Sequence, residues 1–195
     1  MTLKEKYGNE MVLTVPSDKI EKHANGPWFY DEDIDFCARK DGVDMLRYEA
    51  EEDPSHKQLV VYAVLRSNDF KTFVTHRLAG DARLTGKYSI GTGGHVAPNE
   101  SFTETMIREL KEEVGLDMDN VLAFSIEGYI LDESSPVNSV HLGVVYQIIV
   151  RDRDAVKVAE TDKLAGEWLD ANELAKLKQR GALESWSEIT YNHII

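Results

Sequence analysis

Glu109, Glu112 and Glu113 stand at relative positions i, i+3 and i+4 in the segment GHVAPNESFTETMIRELKEEVGL, residues 94–116. At that spacing a helix projects all three carboxylates from adjoining parts of one side. Like charges so placed repel one another, and a divalent cation carrying a phosphate relieves the repulsion. Hard oxygen donors suit Mg²⁺ or Mn²⁺ better than zinc. Arg108 lies one turn before Glu112 and can pin a carboxylate. Taken alone, E-x-x-E-E also reads as a solvated acidic helix face.

The elements that must position these acids are legible around them. Ser101 and Glu104 form an S-x-x-E capping box that starts a helix, and Gly115 is its natural stop. Ile107, Leu110 and Val114, widened by Met106, form the expected apolar stripe, with the acids on another face. Upstream, a run with Tyr88 and Ile90 leads into Gly91-Thr92-Gly93-Gly94, giving strand, glycine loop and helix in order. Adjacent glycines let backbone carbonyls approach a metal or phosphate closely.

Gly94, Glu100, Arg108, Glu109, Leu110, Glu112, Glu113, Gly115 and Leu116 fill every fixed position of G-x5-E-x7-R-E-U-x-E-E-x-G-U, where U is aliphatic. The segment therefore resembles the signature of the Nudix hydrolases. This complete pattern, ending in a capped helix, favours the metal site over the solvated face. Residues from about Gln58 to Ile195 look like one Nudix domain, and the run Arg83–His95 also resembles the bacterial subgroup called predicted MutT-like phosphoesterases. The resemblance implies an α/β/α sandwich with a mixed sheet. It also implies two or three Mg²⁺ (or Mn²⁺) ions held by Glu109, Glu112, Glu113 and the carbonyl of Gly93. Arg108 and Glu100 would orient those ligands. In many members a glutamate from a later loop reaches the metals or acts as base, and Glu160 is the candidate here, with a solvated loop acid as the alternative. Asp162 and Glu167 are weaker candidates.

Other residues leave alternatives open. Arg77, Arg83 and Lys87 precede the box, and one of them could hold a substrate phosphate, Arg83 foremost because a guanidinium forks onto phosphate oxygens. A surface ion pair is the plain alternative. His95 either lines the substrate pocket or packs and hydrogen-bonds structurally. Trp28, Phe29 and Tyr30 could stack on a base, but read better as an apolar plug. Trp168 reads as core.

The formal net charge of −13 over 195 residues argues against a nucleic-acid polymer or a membrane surface as partner, since both are bound by basic patches. A small anionic substrate arriving with its metal remains compatible. One cysteine, Cys37, cannot form an intramolecular disulfide, which fits a cytoplasmic setting, and it reads as a packing residue. MTLKEKYGNE has no signal-peptide core, and the longest apolar runs are too short to span a bilayer.

Residues 1–55 read as a small N-terminal accessory element and residues 56–195 as the Nudix hydrolase domain. In the first, Met11–Val15 is a strand, Ser17 caps a brief helix and Asp31 a second. Glu49–Pro54 is an acidic link, where an extra metal contact is conceivable. In the second, strands are expected over 58–66, 71–78, 87–91, 121–131, 140–150 and 166–169, with helices over 171–180 and 183–195, the last carrying Trp186, Ile189 and Ile194. The accessory element holds too few apolar residues for its own core. It is expected to pack on the Nudix sheet or across a homodimer interface, walling one side of the pocket.

These readings converge on a metal-dependent pyrophosphohydrolase acting on a nucleoside diphosphate linked to another group. The rival is a non-catalytic Nudix module that binds a nucleotide-like ligand and regulates a partner, for which a degraded box is expected. An isoprenoid diphosphate isomerase of the same fold ranks lower, because it needs a pocket cysteine and Cys37 lies in the N-terminal element.

Overall fold

Alternation between apolar and turn-forming runs sets the element order. The computed structural model of the chain describes residues 2–79 and 85–195. Helix α1 (Leu3–Tyr7) precedes strand β1 (Met11–Pro16), helix α2 (Ser17–Glu21), strand β2 (Trp28–Phe29), helix α3 (Asp33–Asp41), strand β3 (Val43–Leu46) and helix α4 (Arg47–Ala50). Strands β4 (His56–Ser67), β5 (Thr72–Arg77) and β6 (Tyr88–Ser89) lead to helix α5 (Phe102–Val114). Strands β7 (Val121–Ile130), β8 (His141–Val150) and β9 (Leu164–Leu169) follow, then helices α6 (Ala171–Gln179) and α7 (Ser185–Ile194). The strands are ordered β2-β7-β8-β4-β1-β3, with β5 beside β4 and pairing also with β6 and β9. The expected α/β architecture, a mixed sheet with helices, holds.

The chain groups into two compact units. The first comprises Met1–Val61, Gly94–Thr105 and Gly128–Val144. Here β1 runs antiparallel to both β3 (Met11↔Leu46) and β4 (Thr14↔Gln58), and β2 lies antiparallel to β7 (Trp28↔Ile130). Val12, Val15, Ile20 and Ile34 are buried in it. Lys57 is buried too, with its ammonium 2.7 Å from the Ser139 carbonyl and 3.1 Å from Glu133.

The second unit comprises Tyr62–Gly93, Met106–Glu127 and Val145–Ile195. Strand β5 is its centre, antiparallel to β9 over six residue pairs from Thr72↔Leu169 to Arg77↔Leu164. Val74, Ile90, Leu169, Leu174, Leu177 and Leu183 form a buried cluster under α6. The Tyr62 hydroxyl meets Ser187 Oγ at 2.7 Å and lies 3.2 Å from both Ser89 and Glu184. Its ring fills the space beside Gly91, where an added Cβ would stand 2.3 Å from it.

Several local expectations need correction. Ile107 is 38% exposed, and the buried stripe of α5 is Phe102, Met106, Leu110 and Val114. At about 100° per residue, Glu109 falls beside Phe102 at the edge of that stripe, and it is only 8% exposed. Ser17 is the first residue of α2 and not its cap, its hydroxyl being bound to the Pro54 carbonyl. Asp31 closes a turn onto the Asp33 N–H instead of capping α3, which starts two residues later. In α7 the most buried residues are Ser187 and Thr190, with Trp186, Ile189 and Ile194 half-buried, because the Ser187 hydroxyl serves Tyr62 and the Ile90 N–H. The acidic link begins inside α4, and neither this helix nor β3 has a periodicity long enough to show in the sequence.

Candidate active site

Helix α5 begins where the capping box places it. The Ser101 hydroxyl accepts from the Glu104 N–H at 3.2 Å, and the Glu104 carboxylate takes the Ser101 N–H at 2.8 Å. Glu100 accepts from the Thr105 hydroxyl at 2.7 Å, which ties it to the first turn. At the far end Gly115 adopts φ +63°, and the N–H groups of Gly115 and Leu116 take the carbonyls of Lys111 and Leu110. The carbonyls of Glu113 and Val114, in the last turn, accept from Ala159 and Lys157 at 2.9 Å each. Helix ends expose such carbonyls, so these bonds fasten the 157–160 loop to the helix terminus.

That fastening brings Glu160 to the box. Glu113 is half-buried, and its carboxyl is held above its ordinary value by burial first, then by repulsion from Glu109 and Glu160. Arg77, at the end of β5, acts in the opposite direction, and Glu112 adds to the repulsion. The expected residues Glu109, Glu112, Glu113, Glu160 and Arg77 thus share one electrostatic neighbourhood within the second unit. Arg108 supplies a second positive charge there, donating to Glu109 Oε1 at 2.6 Å and Glu112 Oε2 at 3.1 Å. Lys163 donates to Glu160 at 2.9 Å.

Gly93 belongs to the same unit and has φ +147°, a conformation other residues rarely adopt. The carbonyls on either side of it, of Thr92 and Gly94, accept from the Ala63 and Val61 N–H groups of β4. No backbone N–H among the described residues takes the Gly93 carbonyl between them. Carboxylates plus a backbone carbonyl are a hard-oxygen donor set, which fits a divalent cation such as Mg²⁺ or Mn²⁺.

The remaining expectations divide. Arg83 lies outside the described residues. Lys87 holds the Gly181 carbonyl at 2.7 Å, and Asp162 and Glu167 are exposed. Trp28 pairs through β2 with β7, Phe29 is buried, Tyr30 is 60% exposed, and Trp168 packs against Phe73. His95 belongs to the first unit and meets His141, Nε2 to Nε2, at 3.2 Å. Among the described residues, one group of three or more His, Cys, Asp or Glu side chains has all its ligand atoms within 4.8 Å: Glu51, His95 and His141. Sequence reasoning missed His141. Its signal is a histidine opening an otherwise apolar strand, where a buried polar side chain needs a partner.

Comparison with known proteins identifies the family and the fold. The NUDIX domain model matches residues 56–188. Protein YmaB of Bacillus subtilis (strain 168) is 33% identical over 196 residues, covering 92% of this chain and 95% of its own length. The crystal structure of Tm1382, "a putative Nudix hydrolase", is similar at a TM-score of 0.76 and 26% identity, over 94% of this chain and 97% of that one. DR0079 from Deinococcus radiodurans shares the fold at a TM-score of 0.60 and 20% identity, over 80% of this chain and 95% of that one. With a complete signature carried on a capped helix and a family model spanning most of its length, the chain belongs to the Nudix family, as a Nudix pyrophosphohydrolase.

Proposed function

We propose that this chain hydrolyses the P–O–P link of a nucleoside diphosphate joined to another group, using Mg²⁺ or Mn²⁺. The observation that carries the reading is the convergence of Glu109, Glu112 and Glu160 on half-buried Glu113, a crowd of carboxylates that invites a cation. Glu109, Glu112, Glu113 and the Gly93 carbonyl would hold the metal. When bound, the metal neutralises diphosphate charge and lowers the pKa of a coordinated water. Arg108 fixes the rotamers of Glu109 and Glu112 through its two hydrogen bonds. Arg77 binds a phosphate oxygen of the substrate, supported by its position among these acids. Glu160, carried by the loop docked on α5, accepts the proton of the attacking water. The products are a nucleoside monophosphate and the phosphorylated second group.

A cytoplasmic enzyme fits the single, free cysteine. No helix among the described residues is long and apolar enough to cross a membrane. A homodimer is supported by the exposed apolar side chains Leu122 and Phe124 on β7.

The test is a panel of nucleoside diphosphate derivatives incubated with Mg²⁺ or Mn²⁺, reading phosphate released after phosphatase coupling. Turnover of at least one member by the wild type supports the reading. Tight, metal-dependent binding without turnover across the panel would favour the regulatory module instead.

A further inference from the structure

We propose that Glu51, His95 and His141 form a second metal site, of the mixed imidazole and carboxylate kind that takes Zn²⁺, sharing no residue with the carboxylate cluster of α5. The three side chains come from separate segments of the first unit: the residue after α4, the residue after Gly94, and the first residue of β8. Their ligand atoms lie within 4.8 Å of one another. The two imidazoles face each other through Nε2 atoms 3.2 Å apart. In a tetrahedral site with Zn–N of about 2.0–2.1 Å, two nitrogen ligands stand about 3.3 Å apart. The histidine pair is therefore already at ligand spacing, and a Glu51 carboxylate oxygen lies within 4.8 Å of both rings' ligand atoms as the third candidate ligand.

The surroundings match what a ligating histidine requires. A carbonyl can only accept, so the contact between His141 Nδ1 and the Val137 oxygen at 2.6 Å fixes the proton on Nδ1. The neutral ring then presents the lone pair of Nε2 toward His95 and Glu51. A metal-bound histidine characteristically anchors its second nitrogen on a carbonyl in this way. Burial first, then Arg47 and the opposing imidazole, hold the His95 pKa well below its ordinary value. Burial also lowers the pKa of His141, with Arg47 acting in the same direction and the Val137 carbonyl and Glu51 against. Arg47 is the group that opposes a cation here. Its charge is balanced by Glu10, 2.8 Å from Nη1, and by Glu51 itself, 3.5 Å from Nε.

The plain alternative is an N–H···N hydrogen bond between the two rings, with Glu51 serving Arg47 alone. The alternatives differ in metal uptake. Full-length protein stripped with chelator is titrated with Zn²⁺ by calorimetry, and with Co²⁺ while visible absorption is read. The expected result is one equivalent of tightly bound metal, visible Co²⁺ bands of a low-coordinate nitrogen and oxygen site, and a Zn²⁺-dependent rise in melting temperature. His95→Gln and Glu51→Gln should each weaken Zn²⁺ by at least ~10-fold. The triple variant Glu109→Gln, Glu112→Gln, Glu113→Gln should keep this equivalent. Circular dichroism checks that each variant is folded, and Glu51→Gln keeps the test valid should His95→Gln not fold. Zn²⁺ uptake that is unchanged in Glu51→Gln and His95→Gln, or lost in the triple variant, would overturn the proposal. Neither result bears on Mg²⁺-dependent hydrolysis, so the two readings fail separately.

Discussion

Replacing Glu113 by glutamine should stabilise the metal-free protein and disable the enzyme, a combination that a structural acid would not give. Glu113 is half-buried and is repelled by Glu109, Glu160 and Glu112, with only Arg77 opposing. Exposed charge pairs are worth about 0.2–1 kcal/mol each. A net excess of two repulsions, together with relief from part of the burial cost, gives about 1 kcal/mol. In a protein of this size that raises the melting temperature by about 2–4 °C. The sign follows from linkage. The folded-state pKa is raised above the ordinary 4.5, so the wild type has its full stability below that value and loses it as pH rises through the folded value. The difference between Glu113→Gln and wild type should therefore vanish below about pH 4.5 and grow toward neutrality. Turnover should fall by about 10²-fold or more, because a lost ligand removes several kcal/mol of transition-state stabilisation and each 1.36 kcal/mol is tenfold. Differential scanning fluorimetry in chelator across pH 4–8, with steady-state kinetics at saturating Mg²⁺, makes the comparison. A variant that melts lower than wild type at pH 7 in chelator, or that retains near-normal turnover, would refute the reasoning.

Arg108→Ala removes the donor to nearly buried Glu109 and to Glu112, so metal-free stability should drop by about 1–3 kcal/mol in urea titration, and turnover should fall with it. Tyr62→Phe deletes a buried hydroxyl bonded to Ser187, and should cost about 1–3 kcal/mol in the same titration while leaving Mg²⁺ affinity unchanged by calorimetry. Deleting residues 1–55 strips β1 from β4 and removes buried Val12, Val15, Ile20 and Ile34, so the truncated chain should aggregate on size-exclusion chromatography. A soluble truncation with an unchanged melting temperature would show the accessory element to be an appendage.

The strength of each sequence inference tracked how local its physics was. Helix α5 was readable to within a residue because its start and stop depend on Ser101, Glu104 and Gly115 acting on neighbouring backbone. The long strands β4, β7 and β8 were readable from sustained apolar runs. The burial of Glu109 was not, because its pairing with Arg108 at the edge of the apolar stripe depends on rotamers. Short β3 depends on tertiary pairing with β1 rather than on propensity. The meeting of His95 and His141 joins residues 46 positions apart, which no spacing rule encodes.

Metal held by the acids of α5 for diphosphate hydrolysis is put to the test by phosphate release from the best substrate of the panel by wild type and by Glu112→Gln, each with Mg²⁺, Mn²⁺ or chelator. Glu112 is exposed and makes no core contact, so its loss leaves the fold intact. The wild type should turn over with either metal and not in chelator, and Glu112→Gln should lose about 10²-fold or more. Wild-type turnover that persists in chelator, or Glu112→Gln activity close to wild type, would contradict this role for the metal.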